Sequence, residues 1–178
     1  NPFLYEQTAT PYSLNTDFDT ELGSVANAEQ YQQVGSTVAG FENAVFTLEK
    51  VTTTEKMLFY ARGGEIRQLV NGSFIPRYHS AGAASTWDAV RFYDRLYIAG
   101  APAPLLYTDD GITWTQVATR TPQFVEVYRD RLYALNLVEE GDDLAGRFRF
   151  SDLGDGTTFS TSNFVDTIGD AITGAKAT

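Results

Sequence analysis

The sequence predicts an all-β fold: a partial or open β-propeller of about three four-stranded blades behind an extended N-terminal segment. Three observations predict it. The tetrapeptide Asp94-Arg95-Leu96-Tyr97 returns unchanged as Asp130-Arg131-Leu132-Tyr133, 36 residues later, and internal repeats of this length mark stacked supersecondary units. A fainter copy, Met57-Leu58-Phe59-Tyr60, lies 38 residues before Arg95-Leu96-Tyr97-Ile98, with large apolar or aromatic side chains at the last three positions of both. No segment carries a convincing helical period, and an aromatic content of 13% with β-branched residues throughout suits pleated sheets.

Residues 1–41 lack the repeat and read as an extended segment punctuated by Pro2, Pro11, Gly23, Gly35 and Gly40. Within it a short helix is expected over 25–33, where Ala26, Ala28, Glu29 and Gln32 favour one. The blades follow at 42–80, 87–120 and 123–162. In the first, strands are expected at 44–50, 57–61, 65–70 and 73–77, with Gly63-Gly64 and Asn71-Gly72 as hairpin turns. Asn-Gly suits such a turn because both central residues take positive φ. The second blade reads as strands at 89–93, 95–99, 105–108 and 113–117, broken at Asp94, at 100–104 and at Asp109-Asp110-Gly111. The third reads as 124–128, 131–135, 147–151 and 158–161. Its middle connection, 138–146, is longer than its counterpart: Tyr133 stands 17 residues before Phe150, against 10 from Tyr97 to Tyr107, which makes a seven-residue acidic insertion. Long loops on compact repeats often carry function, so Glu139, Glu140, Asp142 and Asp143 form a candidate contact loop. Residues 165–174 read as the crossing from one blade towards the next.

A propeller removes its exposed edges by radial closure, which takes about four to eight blades. Three are too few. The expectation is therefore that the chain is part of a longer polypeptide or that another chain covers its open edges, since a bare edge strand invites aggregation.

Composition narrows the class. The 178 residues, 43% hydrophobic, suffice for one sizeable core, and the absence of cysteine excludes disulfide stapling and thiolate metal sites. No apolar run is long enough to span a bilayer and no signal-peptide pattern stands at Asn1, so membrane insertion is not expected. With 23 acidic and 13 basic side chains the formal charge is −10, which opposes a phosphate-neutralising nucleic-acid groove.

The run Tyr107-Thr108-Asp109-Asp110-Gly111-Ile112-Thr113-Trp114 resembles an Asp-box, (Ser/Thr)-x-Asp-x-Gly-x-Thr-Trp, the hairpin turn repeated in sialidase-type and related propellers. The resemblance implies that Asp109 accepts backbone amide bonds, that Gly111 takes the positive φ and that Trp114 packs between sheets. Tyr107 departs from the Ser or Thr of the first position. A degenerate copy spans Ser151-Asp152-Leu153-Gly154-Asp155-Gly156-Thr157-Thr158-Phe159, with Phe159 in place of Trp and an altered spacing, so that Asp152, Gly156 and Phe159 become structural turn residues as well. In those families the motif is structural and lies away from catalytic groups.

Chemistry finds little support in the residues. A sialidase-like site needs an arginine cluster, a Tyr-Glu nucleophile pair and an Asp acid, and none of these roles can be carried over position by position. Acids crowded on the Gly-containing insertion read as solvated, not as a glycosidase pair. His79 is the sole histidine and no Gly-x-Ser-x-Gly elbow accompanies it, so it reads as a surface or packing residue. Asp109, Asp110, Asp152 and Asp155 could ligate calcium, yet they lack EF-hand or RTX spacing and turn stabilisation is the simpler reading. Asn71-Gly72-Ser73 fits a glycosylation sequon but is better explained by its turn geometry. No catalytic residue, cofactor or metal is expected.

The run from Arg131-Leu132-Tyr133 through Arg147-Phe148-Arg149-Phe150 and Ser151 to Phe159, then Asn163-Phe164-Val165-Asp166 and Gly169-Asp170-Ala171-Ile172-Thr173-Gly174, resembles blades of tailed-phage tail structural propellers. These include the nozzle or tail-stabilisation proteins of short-tailed phages, and the resemblance covers roughly residues 87–174. It implies a virion location, a homo-oligomeric ring below the portal and adaptor, a channel through which DNA passes without specific binding, and attachment surfaces for fibres or spikes. An acidic wall fits such a conduit because it gains no counterion-release affinity for DNA, although excess acid is also a common route to solubility. The alternative from another class is a glycan-binding propeller, a receptor-binding tail component or a lectin, with Trp87, Tyr107 or Tyr78 as sugar platforms. A sialidase-like hydrolase stands third.

Overall fold

A computed structural model of the chain describes residues 16–17, 26–27, 43–80, 86–117, 120–167 and 171–173. The chain divides into two units, Asn1–Val34 and Gly35–Thr178. In the first, β1 (Thr16–Asp17) pairs antiparallel with β2 (Ala26–Asn27). A strand at Ala26–Asn27 corrects the start of the helix expected over 25–33: Asn27 is a weak helix former, and cross-strand pairing satisfies its backbone instead. The remainder of that helix, and of the extended segment expected over 1–41, lies outside the described residues.

The second unit is all-β, built as three four-stranded antiparallel sheets. Each is a meander of strands consecutive in sequence. The first contains β3 (Asn43–Glu49), β4 (Lys56–Arg62), β5 (Glu65–Val70) and β6 (Ser73–His79). The second contains β7 (Asp88–Phe92), β8 (Arg95–Gly100), β9 (Ala103–Thr108) and β10 (Thr115–Gln116). The third contains β11 (Arg120–Tyr128), β12 (Arg131–Glu139), β13 (Asp142–Phe150) and β14 (Phe164–Asp166). The three sheets do not close on one another, which makes this an open, propeller-like arrangement. The Asn71-Gly72 turn has φ of 49° and 78°, as a two-residue hairpin requires.

Side-chain alternation stacks the sheets through two cores. One core joins Leu48, Met57, Phe59, Ala61 and Ile66 of the first sheet to Trp87, Leu96, Ile98, Ala103 and Leu106 of the second. The other joins Phe92, Tyr97, Ala99, Leu105 and Val117 of the second to Val125, Leu132, Ala134, Leu137 and Phe159 of the third. In β8, Leu96 and Ile98 therefore face one neighbour while Tyr97 and Ala99 face the other. A strand covered on both sides reads as a continuous apolar run, which is what Leu96 to Ala99 are.

Polar bonds fix the sheets to each other. Trp87 Nε1 donates to the Gly63 carbonyl at 2.8 Å, Arg91 donates to the Glu49 carbonyl at 2.9 Å, and the Asp88 carboxylate accepts the Val125 amide at 2.9 Å. Asp94, first residue of the repeated tetrapeptide, reaches back to the β3–β4 turn and accepts the Val51 amide at 2.6 Å and the Thr52 hydroxyl. Its counterpart Asp130 lends a backbone carbonyl instead, to the Gly154 amide at 2.8 Å.

The third blade departs most from its sequence reading. The connection read as a loop over 138–146 is largely strand: β12 and β13 extend towards each other with Glu139 opposite Asp142 and Val138 opposite Asp143, leaving Glu140-Gly141 as the turn. Positive φ at both turn residues, 53° and 92°, closes it. β11 lengthens in step, with Arg120 opposite Glu139. The fourth strand is β14, pairing Phe148 with Val165, and not 158–161, which the Asp155 turn occupies. Part of the segment read as a crossing therefore belongs to this blade.

Candidate functional site

The Asp-box-like turn is held by the neighbour of the expected carboxylate. Asp110 Oδ1 accepts the amides of Ile112 and Thr113, both at 2.7 Å, while the Gly111 amide donates to Thr108 Oγ1 at 2.8 Å. The Thr113 amide, joined by that of Ile112, holds the Asp110 carboxyl at about 2 against the opposing effect of burial. Asp109 makes no hydrogen bond among the described residues and is exposed. The reason is local geometry: with Thr108 in place of the motif's first hydroxyl, the acceptor falls directly before the glycine. Gly111 has φ of 74° and Trp114 meets Phe59 of the first sheet edge to face, ring centroids 5.6 Å apart.

The second turn obeys the same shift. Asp155 accepts the Thr157 amide at 2.8 Å and the hydroxyls of Thr157 and Thr158 at 2.6 Å, and these hydroxyls hold its pKa down. Asp152 serves a different purpose, accepting Asn163 Nδ2 at 2.9 Å. The shared pattern is Asp-Gly-x-Thr-aromatic, Asp110 to Trp114 and Asp155 to Phe159, a period that sequence inspection could have found. Each glycine sits on an aromatic of the preceding blade at the same repeat position. A Cβ on Gly111 would come within 3.1 Å of Phe59, and one on Gly156 within 2.6 Å of the Tyr97 ring and 2.8 Å of Phe92. Tyr133, third in that series, instead lies among Tyr128, Phe148 and Phe150 on the outward face of the third sheet.

The candidate contact residues separate. Glu140, Asp142 and Asp143 are exposed at the hairpin tip, but Glu139 is turned inward with its side chain 11% accessible. It accepts Arg120 Nε at 2.7 Å and a two-pronged bond from Arg149, and Arg147 approaches to 3.7 Å while pairing with Asp166 at 2.6 Å. Burial alone would raise the Glu139 pKa; the Arg149 and Arg120 guanidiniums outweigh it and leave it lowered. This network explains why an acidic insertion folds as strand.

The platforms expected for glycans are mostly committed elsewhere. Trp87 is buried with its Nε1 spent on Gly63, Tyr78 packs against the first core, and Tyr107 stacks on Tyr97 at 5.5 Å beneath the Arg95 guanidinium. His79 is exposed at the end of β6. Among the described residues no three His, Cys, Asp or Glu side chains are grouped to hold a metal ion.

A cleft that no motif marked opens beside the second blade. It encloses about 340 Å³ between the second blade and the Asp155 turn, lined by Phe92, Tyr93, Asp94, Arg95, Tyr97, Asp109, Gly154 and Gly156. The Tyr97 hydroxyl is fully buried in its wall with no hydrogen-bond partner. Burial pushes its pKa up, and the Arg95 guanidinium beside it opposes the shift. No family model matches the chain, and no curated protein matches it.

Proposed function

We propose that this chain is the blade region of a non-enzymatic virion structural protein, part of a tailed-phage tail or nozzle ring that conducts DNA and carries other tail proteins. The observation that supports this reading most is the outward face of the third sheet. There Tyr128, 44% accessible, Tyr133, Phe148 and Phe150 form a contiguous aromatic surface, while the middle sheet is covered on both sides. Faces of this composition are what subunit contacts use, because aromatic burial supplies most of the binding energy of an interface. The net charge of −10 suits a wall past which DNA slides, since it offers no phosphate-neutralising affinity. In this reading the subunit acts by assembly alone, next to adaptor, portal and fibre or spike proteins.

Negative-stain imaging of the full-length protein tests it. Rotationally symmetric rings about an open channel, lost on Phe148→Asp while the circular dichroism of the subunit is retained, are the expected result. Single particles without symmetry, with and without the adaptor ring, would overturn the reading.

A further inference from the structure

Aromatic seats and glycine turns alternate along the blades, and one of each is left over. The turn joining the third and fourth strands of the second blade sets Gly111 on Phe59 of the first, and that of the third blade sets Gly156 on Tyr97 and Phe92 of the second. Tyr133 and Tyr128 are the repeat counterparts of Tyr97 and Phe92. Their rings keep the same geometry, with centroids 6.4 Å apart and planes at 60°, against 6.3 Å and 57° for Phe92 and Tyr97. Arg131 lies over Phe150 as Arg95 lies over Tyr107, at 5.4 and 5.0 Å from the ring centroids. The third seat is therefore formed but uncovered: Tyr128 is 44% accessible where Phe92 is 4%.

At the other end, the corresponding turn of the first blade is Asn71-Gly72, between β5 and β6. Gly72 has φ of 78°, close to the 74° of Gly111, yet a Cβ on it would meet nothing within 4 Å. The first sheet is also apolar on the face turned away from the second. Leu58 and Tyr60 stand there at the repeat positions of Leu96 and Ile98, which in the second blade face the preceding one. Tyr60 packs on Phe74 at 5.5 Å and lies opposite Val45, 61% accessible. Three blades are too few to bring this turn and the third seat together in one copy. Two copies supply six blades, within the range of about four to eight that closes a propeller, and three copies would exceed it. We infer that two copies of this chain join head to tail, the Asn71-Gly72 turn of each seated on Tyr128 and Tyr133 of the other, into a closed six-bladed ring. The inference rests on the reading of the third sheet's outward face as a subunit contact, and it names the surface which that face meets.

Cysteine crosslinking and sedimentation of the full chain test the inference, and the sequence has no cysteine to interfere. Ser73→Cys, beside the turn, and Tyr128→Cys, in the seat, both alter exposed positions. Mixed under mild oxidation, the two variants should form disulfides with each other in preference to themselves, and the unaltered chain should sediment as two copies. Tyr128→Asp should weaken the association about thirtyfold, the loss of one central aromatic anchor, with the circular dichroism of the chain retained. Links of either variant to itself, or rings of another copy number, would overturn the head-to-tail pairing and leave the subunit-contact reading in place. A chain that stays single and unlinked would also overturn the pairing, whereas the ring reading would fall only if imaging with the adaptor ring showed single particles too.

Discussion

Trp114 stands edge-on to Phe59 with their planes 86° apart, so the turn of the second blade is anchored in the first sheet and not in its own. This contact and the seat of Gly111 beneath it make the turn an inter-sheet fastener. Trp114→Ala should cost about 3 kcal/mol, the lower end of the range for losing a large aromatic, because Trp114 is only partly buried. Urea denaturation followed by far-ultraviolet circular dichroism measures it, and Trp114→Phe should recover most of the loss.

The amides that Asp110 accepts make the stability of this turn depend on pH. A folded pKa of about 2 lies below the unfolded carboxylate value of about 3.9, so the charged Asp110 stabilises the fold above that unfolded value. The contribution fades as pH falls towards 2. The group is largely exposed, and solvent screening keeps the effect to about 1 kcal/mol or less. Asp110→Asn should flatten the melting temperature between pH 4 and 2 relative to wild type, to the extent of about that energy.

Three glycine-to-alanine changes separate strain from collision. At Gly72 a Cβ meets nothing within 4 Å, and only its φ of 78° resists substitution, at about 1 kcal/mol. Gly111 adds contact with the flexible ends of Met57 and Gln68. Gly156 has no positive φ, but its Cβ would strike the Tyr97 and Phe92 rings, which are locked in the second core, at about 2–3 kcal/mol. The expected order of destabilisation in chemical denaturation is Gly156, then Gly111, then Gly72.

Glu139→Gln should destabilise the third sheet by about 3 kcal/mol, because Arg149 is buried and would lose its balancing charge. The folded pKa of Glu139 is lowered, so its contribution is present above the unfolded glutamate value of about 4.3 and is lost as pH falls through the folded one. Glu140→Asn, at the tip of the same hairpin, should be neutral or slightly stabilising because asparagine accepts a positive φ more readily. Hydrogen exchange across β12 and β13 distinguishes the two outcomes.

The sheets were legible because their signals are local: hairpin turns such as Asn71-Gly72, and a repeated tetrapeptide whose apolar members alternate between two cores. What escaped depends on partners far away in sequence. The acidic run from Glu139 to Asp143 has the composition of a loop, and only Arg120 and Arg149 across the sheet make it strand. Two adjacent carboxylates at 109 and 110 are indistinguishable by composition, and backbone conformation decides which one accepts the amides. β14 spans three residues, too short for a period to register. The cleft was invisible because Arg95 and Arg131 occupy identical tetrapeptides and differ only in what surrounds them.

The double-sided burial of β8 has a consequence for how this sequence can change. Because successive residues serve opposite neighbours, a one-residue deletion would exchange Leu96 and Ile98 with Tyr97 and Ala99, and both cores would fail together. Two adhesive surfaces are interleaved in a single strand, in alternate phase. Drift that improves the fit to one neighbour is therefore confined to every second position, and length variation has to be absorbed elsewhere, as the extended hairpin of the third blade has done.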